Sequence, residues 1–485
     1  MRHLWICLLA GAMAGKAAAD IVWKGERVEA WPAEALQSMN RPTAARALAA
    51  TEPSHYPSPE GKVYGLTLLV DFSDAPAPFT KDEISDWLNK PGFNRDGCNG
   101  SVRDYYLDVS KGKVDFTNEV FGWYRAKKTK AYYEGLSGYS GSSELLAEVM
   151  AYFDPSVDFS RYDNDKDGKT EAISIVYAGA GQTWGQGLWP HSGWVGQTRD
   201  RTTVQSYQMT DMPGKFSLYV FVHECGHMIF GWPDLYWYGD YCSMGNRAND
   251  LNPVAINDFF RADQGWIPFQ DVTALDTTLE STGDGEKVYR YRNPERPTTE
   301  GFAWSFLRNT GRRSVIRGSG LLVHHYDLSI GGNSSAAKLG LRIAQADGKE
   351  ELQASQWPTI SNDSKDFFQT GTVGQFDDIR FPSLRWYGGK TSGISVSAIG
   401  APSTTLSFRM GQQLPAASAT TRIEAEKAQV VNGAIKTAAG ASGGSYASSL
   451  DNAASKAVFT VNRSTAGRCS LVVRFANGGT RNASQ

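Results

Sequence analysis

Two histidines four residues apart, with a glutamate between them, are the part of this chain best suited to chemistry. They are His223, Glu224 and His227, within Val222 to Tyr236 (VHECGHMIFGWPDLY). On a helix, residues at that spacing project from one face about a turn apart. Two imidazoles so placed can grip one zinc ion. Glu224 can then take a proton from a zinc-activated water and pass it to a leaving amine. Zinc brings the pKa of such a water to about 7, and the carboxylate completes its activation. The chemistry implied is peptide-bond hydrolysis with Glu224 as general base. A surface helix with two satisfied histidines would show the same short pattern. Against that stand the apolar run Leu218 to Val222, which suits a buried helix, and Gly231 and Pro233, which must end it and turn the chain.

Such a metal needs a third protein ligand. After His227 the next histidine is His324, and the first glutamate after Glu224 is Glu280. Both lie beyond the predicted catalytic region. Asp234 is therefore the candidate, with Asp240 as the alternative. A carboxylate reaches less far than an imidazole, so the turn at Gly231 and Pro233 must bring the backbone close.

A second constellation, Asp163, Asp165 and Asp167 followed by Gly168, has alternating oxygen ligands and a glycine, as a calcium loop requires. The twelfth position of an EF-hand would be Ser174, not glutamate, and a strand follows, so a complete EF-hand is excluded. Calcium here needs ligands from elsewhere; the same residues are also ordinary turn chemistry. His191 reads as a substrate-side or structural histidine. His324 and His325 adjoin on a predicted strand, point to opposite faces, and make a poor metal pair.

Around these residues the pattern predicts strands at Val63 to Phe72, Val114 to Trp123 and Ala172 to Tyr177. Helices are expected over Ser101 to Val109 and, carrying the motif, Phe216 to Ile229. Alternating strands and helices argue an α/β domain to residue 272. From 273 to 413, short alternating runs between Gly-, Asn- and Ser-rich turns argue an all-β, sandwich-like unit. Gly411 to Thr421 has linker composition.

Several stretches carry a family resemblance. The motif with Pro233-Asp234-Leu235-Tyr236 after it resembles that of the immune inhibitor A family of secreted bacterial zinc metallopeptidases. Gly100 to Tyr106 with Ser110 to Lys113, Tyr162 to Gly168, Ala178 to Gln182, Tyr241 to Gly245, and Asn252-Pro253 through Ile267 are similar to further family segments in the same order. The resemblance covers residues 62–272 and extends more loosely to Gly318 to Asp327. It implies a metzincin-like zincin fold, with Met244 as a soft, adaptable floor beneath the metal. The family spacing places glycine three and aspartate six residues after the second histidine. Here Phe230 takes the first position, and Gly231 and Asp234 each fall one later. Near the C-terminus, Ile423 to Glu426, Ser442 to Tyr446 and Arg474 to Gly478 resemble the first half of β-sandwich carbohydrate-binding modules. That likeness implies a structural calcium site using Glu424 and Glu426, and a polysaccharide partner.

The expected architecture is thus multidomain. A signal peptide over 1–19 precedes an N-terminal extension or propeptide over 20–61. An α/β zincin catalytic domain (62–272), an all-β domain (273–413), a linker (414–421) and a partial carbohydrate-binding module (422–485) follow. Arg2 and His3, the apolar Leu4 to Ala14 and Ala17-Ala18-Ala19 carry the signal-peptide reading, and with it export. The formal net charge of −2 gives no reason to expect nucleic acid or an anionic membrane. Cys98, Cys225, Cys242 and Cys469 allow one or two disulfides in an oxidising compartment. The function expected is that of a secreted zinc endopeptidase acting on a protein or glycoprotein. The alternatives are a carbohydrate-binding protein with an inactive zincin domain, or a glycan-processing enzyme.

Overall fold

The computed structural model describes residues 59–413 with gaps at 183–186, 247–248, 284, 336–337, 355–361, 371–374 and 380–381. It also describes two short strands near the N-terminus and most of 423–460. The expected signal peptide, the linker and Arg474 to Gly478 lie outside the described residues. The chain divides into two units, Met1–Gln412 and Gln413–Gln485.

The first unit is built on a mixed sheet. Its strands are β1 (Ile21–Trp23), β2 (Glu26–Val28), β3 (Gly61–Asp71), β4 (Val114–Arg125), β5 (Lys169–Thr170), β6 (Ile173–Ala178), β7 (His191–Arg199) and β8 (Thr202–Met212). They run in the order β2-β1-β7-β8-β6-β3-β4, with β5 added beside β8. The pairs β4–β3, β3–β6 and β6–β8 are parallel, and β7 is antiparallel to β8. Parallel strands need crossover connections. Those between β3 and β4 carry helices α1 (Lys81–Asn89) and α2 (Val102–Val109), and those after β4 carry α3 (Lys130–Glu134) and α4 (Ser140–Phe153).

The two faces of the sheet bury different cores, which explains the unbroken apolar run of β3. Val63 and Leu69 face the core shared with α1, α2 and the motif helix α5 (Tyr219–Phe230). Leu66, Leu68 and Val70 face the core under α4, with Leu145, Val149 and Met150. The α2 start is a capping box: Ser101 Oγ accepts from the Asp104 N–H, and the Asp104 carboxylate accepts from the Ser101 N–H. α5 starts three residues later than expected and ends one later, because its first turn is preceded by a bend in which Leu218 and Tyr219 donate to the Asp250 carbonyl.

Past the short helix α6 (Asp258–Asp263) the described residues form two larger sheets and the small antiparallel pair of Asn333–Ser335 with Lys338–Leu339. One joins Phe269–Asp271, Val288–Arg292, Glu300–Leu307, Gly320–Asp327 and Leu341–Ala344; the other joins Thr277–Thr282, Gln375–Asp377, Ile394–Ser397 and Thr405–Gln412. Phe302, Trp304 and Val323 of the first share a core with Phe376, Val396 and Phe408 of the second. The opposite side of the first sheet (Ala303, Leu322, Tyr326, Ile343) belongs to the same core as α5 and α6. A continuous apolar interior therefore crosses residue 272. Charge crosses it too: buried Asp258 is held by Arg261 and by Arg313.

Within the second unit, Gln429–Val431 pairs with Lys456–Val458 and Ala434–Thr437 with Ser445–Ser448, both antiparallel. Among the described residues, no helix is long and apolar enough to cross a membrane.

Candidate metal centre

Every residue of α5 is buried, as its composition demands. Tyr106 of α2 donates to the Val222 carbonyl (2.6 Å), tying one helix to the other. The helix ends at Gly231, which is left-handed (φ +66°), a conformation glycine adopts without the cost of a Cβ. The Gly231 and Trp232 N–H groups turn back onto the His227 and Gly226 carbonyls. Phe230 completes the helix and stacks on Trp232, 4.4 Å between rings. This reversal aims the Trp232 carbonyl at His227 and leads the chain to Asp234.

The structure brings His223, His227 and Asp234 together. The His223 and His227 Nε2 atoms lie 3.0 Å apart, and Asp234 Oδ1 is 3.2 Å from the first and 3.5 Å from the second. Each Nδ1 faces a backbone carbonyl: Ser243 O at 2.7 Å for His223, Trp232 O at 2.6 Å for His227. A carbonyl only accepts, so each Nδ1 carries the proton and each neutral ring turns its Nε2 lone pair inward. Two lone pairs and a carboxylate oxygen then converge with no donor among them. That donor set repels itself without a cation and suits a divalent metal that takes imidazole and carboxylate ligands. Burial holds the His223 imidazole below its ordinary pKa, favouring the neutral form a ligand needs.

Glu224 follows His223 on α5 and is fully buried. Its charge reaches Tyr177 at the end of β6, whose hydroxyl is pushed well up, first by burial and then by Asp211, Glu134 and Glu224. Met244 is buried under the helix: a Cβ on Gly226 would meet its sulfur at 2.6 Å and the Trp232 ring at 3.2 Å. The glycine within the motif is therefore a packing requirement. The Met244 turn is fixed by Leu235 N donating to Met244 O (2.7 Å) and by Tyr105, whose hydroxyl donates to the Val254 carbonyl (3.0 Å) and lies 2.9 Å from Ser243 Oγ. Asp240 sits in the turn Gly239–Tyr241 and is not one of the three converging groups.

Asp163, Asp165 and Asp167 also come together, and Glu171 joins them. Sequence reading missed Glu171 because it lies past the loop, in the bend between β5 and β6. Asp163 accepts from the Asp167 and Gly168 N–H groups (both 3.0 Å), shaping the turn. Glu171 accepts from Asn164, whose amide also bonds Tyr64 of β3 in both directions. Burial, then the charges of Asp165 and Asp163, push Glu171 up to about 8. A third acidic group, Asp347, Glu351 and Asp363, already has a cation, because Lys349 bridges Asp347 and Glu351.

His191 is not at a ligand position. It is buried at the start of β7, with Nδ1 on Trp189 O (2.7 Å) and Nε2 on Tyr207 Oη (2.8 Å). His324 meets Tyr238, while His325 meets Glu300, as strand alternation requires. Cys98, Cys225 and Cys242 are all free, so no disulfide joins them; Cys469 lies outside the described residues. Glu424 precedes the single turn Ala425–Lys427 and Glu426 lies within it; neither belongs to a metal-sized cluster among the described residues.

No protein-family model matches the chain. Among curated proteins it is similar to the Pre-pro-metalloprotease PrtV of Vibrio cholerae, in strain M66-2 and in strain ATCC 39315 / El Tor Inaba N16961. Each is 26% identical over 35% of this chain and 24% of its own length. The chain thus spans about a quarter of the curated relatives it matches.

Proposed function

We propose that this protein is an exported zinc-dependent endopeptidase of the immune inhibitor A type, with a zincin-like catalytic region. The observation that carries the reading is the convergence of His223 Nε2, His227 Nε2 and Asp234 Oδ1, with both Nδ1 atoms committed to carbonyls. The distant similarity to a metalloprotease supports it.

His223, His227 and Asp234 would hold the metal. Zinc at such a site polarises a peptide carbonyl and lowers the pKa of water to about 7. Glu224, one residue from His223, would accept the proton of the attacking water and return it to the departing amine. The Ser243 and Trp232 carbonyls keep both imidazoles in the ligating tautomer through the cycle. Met244 packs the floor, so the helix cannot sink away from its ligands.

Calcium is the second metal of the proposal, at Asp163, Asp165, Asp167 and Glu171, and in the C-terminal module at Glu424 and Glu426. That module would bring the enzyme to a polysaccharide-rich target. The decisive experiment measures metal content and casein cleavage of the purified protein. One zinc per chain is expected, with activity lost to a chelator and restored by zinc. Cleavage indifferent to the chelator, or sugar binding with no cleavage at all, refutes the reading.

A further inference from the structure

The two oxygens of the Asp234 carboxylate are not equivalent. Oδ1 faces the two Nε2 atoms, whereas Oδ2 accepts a hydrogen bond from Tyr236 Oη at 3.0 Å. Aspartate rotates broadly about its terminal torsion, so a carboxylate without such a tether could turn either oxygen, or both, inward. The tether is itself anchored. Leu235, between the two residues, is buried and bonded to the Met244 carbonyl, and the Asp234 carbonyl accepts from the Asn333 N–H (3.1 Å). Asn333 is clamped in turn, its side chain bonding the Leu341 carbonyl (2.8 Å) and N–H (3.1 Å). Backbone and side chain of Asp234 are thus fixed from two directions, one of them the β-rich region.

We propose that Tyr236 is a positioning residue that makes Asp234 a one-oxygen ligand. This rests on the metal-site reading above and adds to it. By occupying Oδ2, the phenol withholds the second oxygen from the metal and keeps a coordination position open for water and the substrate carbonyl. It also fixes the direction from which Oδ1 approaches. A partner of this kind, outside the ligands themselves, typically accounts for about 10- to 100-fold in metal affinity.

The test compares wild type, Tyr236→Phe, Asp234→Ala and the double variant. Zinc affinity is read by competition with a chromophoric chelator, and coordination by the visible spectrum of the cobalt-substituted protein. Tyr236→Phe is expected to weaken zinc binding by about 10- to 100-fold. Its cobalt bands should fall in intensity, as they do when a second oxygen enters and the geometry leaves tetrahedral. In the Asp234→Ala background the same substitution should change neither readout, because the phenol acts only through that carboxylate. Equal loss in both backgrounds would mean that Tyr236 merely packs, and the inference falls. Unchanged affinity and spectrum in Tyr236→Phe also overturn it. If Tyr236→Phe does not fold, Tyr236→Met supplies the same comparison. Failure of the underlying reading looks different: wild type would bind no zinc, or Asp234→Ala would bind it as tightly as wild type.

Discussion

At the scale of single residues, the proposed metal centre separates groups that would hold the ion from the group that would react. Glu224 follows His223 in sequence but is not one of the three converging groups. Glu224→Ala should therefore retain zinc while losing about 10²- to 10⁴-fold in turnover, the usual contribution of a general base. Zinc content by elemental analysis and kcat on a peptide substrate check both halves. A zinc-loaded Glu224→Ala protein with near-normal turnover would remove Glu224 from the mechanism. Glu171 makes the second residue-scale case. With its carboxyl pushed up to about 8, it is largely neutral near pH 7, so Glu171→Gln should preserve the fold of the metal-free protein. If the loop binds calcium, millimolar calcium should raise the melting temperature of wild type, since a ligand of the native state stabilises it by mass action. The rise should shrink in Glu171→Gln. Identical melting curves with and without calcium would retire the site, and a rise that survives in Glu171→Gln would place the calcium elsewhere.

Among the elements, β7 and β8 are unusual in what they bury. Gln205, Ser206, Gln208 and Thr210 of β8 are all buried, although the strand crosses the middle of the sheet. On the neighbouring β7, His191 lies enclosed by Trp189, Tyr139 and Tyr207. Burial lowers its pKa from 6.5 to about 4, against a smaller raising effect of the Trp189 carbonyl. The sign of the consequence follows from proton counting. Between about pH 6.5 and 4 the unfolded chain binds a proton at His191 that the native protein refuses, so stability is full above 6.5 and falls with pH across that window. The shift corresponds to an upper figure on the order of 3 kcal/mol. Urea unfolding of wild type and His191→Gln at several pH values should show the variant with the shallower decline between pH 6.5 and 4. Parallel declines would mean that His191 titrates normally.

For the molecule as a whole, the feature of consequence is the interior that runs across residue 272. Val288, Ala303, Leu322 and Ile343 share a core with Phe230, Trp232 and Phe260. Arg313 covers the buried carboxylate of Asp258, and Asn333 holds the backbone of Asp234. Cutting the chain at residue 272 would expose this shared core to water and leave Asp258 with Arg261 alone, and losses of a few kcal/mol are comparable with much of the net stability of a domain. A chain ending at residue 272 should accordingly lack a cooperative thermal transition by circular dichroism and fail to hold zinc. A fragment of residues 59–272 that melts sharply and binds zinc would show instead that the α/β region folds alone.

Much of this was legible from the sequence because it depends on local periodicity. Four-residue spacing puts His223 and His227 on one side of any helix, and the tracts of β3, β4 and β6 name their own strands within two residues. Alternation likewise separates His324 from His325. What the chain could not declare is what distant residues do to each other. The sequence expectations do not include the helices Lys81–Asn89 and Ser140–Phe153 or the strand Thr202–Met212. In that strand polar side chains are interior, which no hydropathy pattern signals. Elimination along the sequence points to Asp234 with Asp240 as the alternative; the left-handed Gly231, the Trp232 stack and the reach of Asn333 bring Asp234, and not Asp240, to the histidines. Glu171 is tied to its cluster by Asn164 and the neighbouring strand β3, contacts that sequence distance hides. The tautomers of the two histidines are tertiary as well, because only the fold places the Ser243 and Trp232 carbonyls against their Nδ1 atoms. Spacing along the helix determined which side chains face one another; the packing around it determined which lone pairs do.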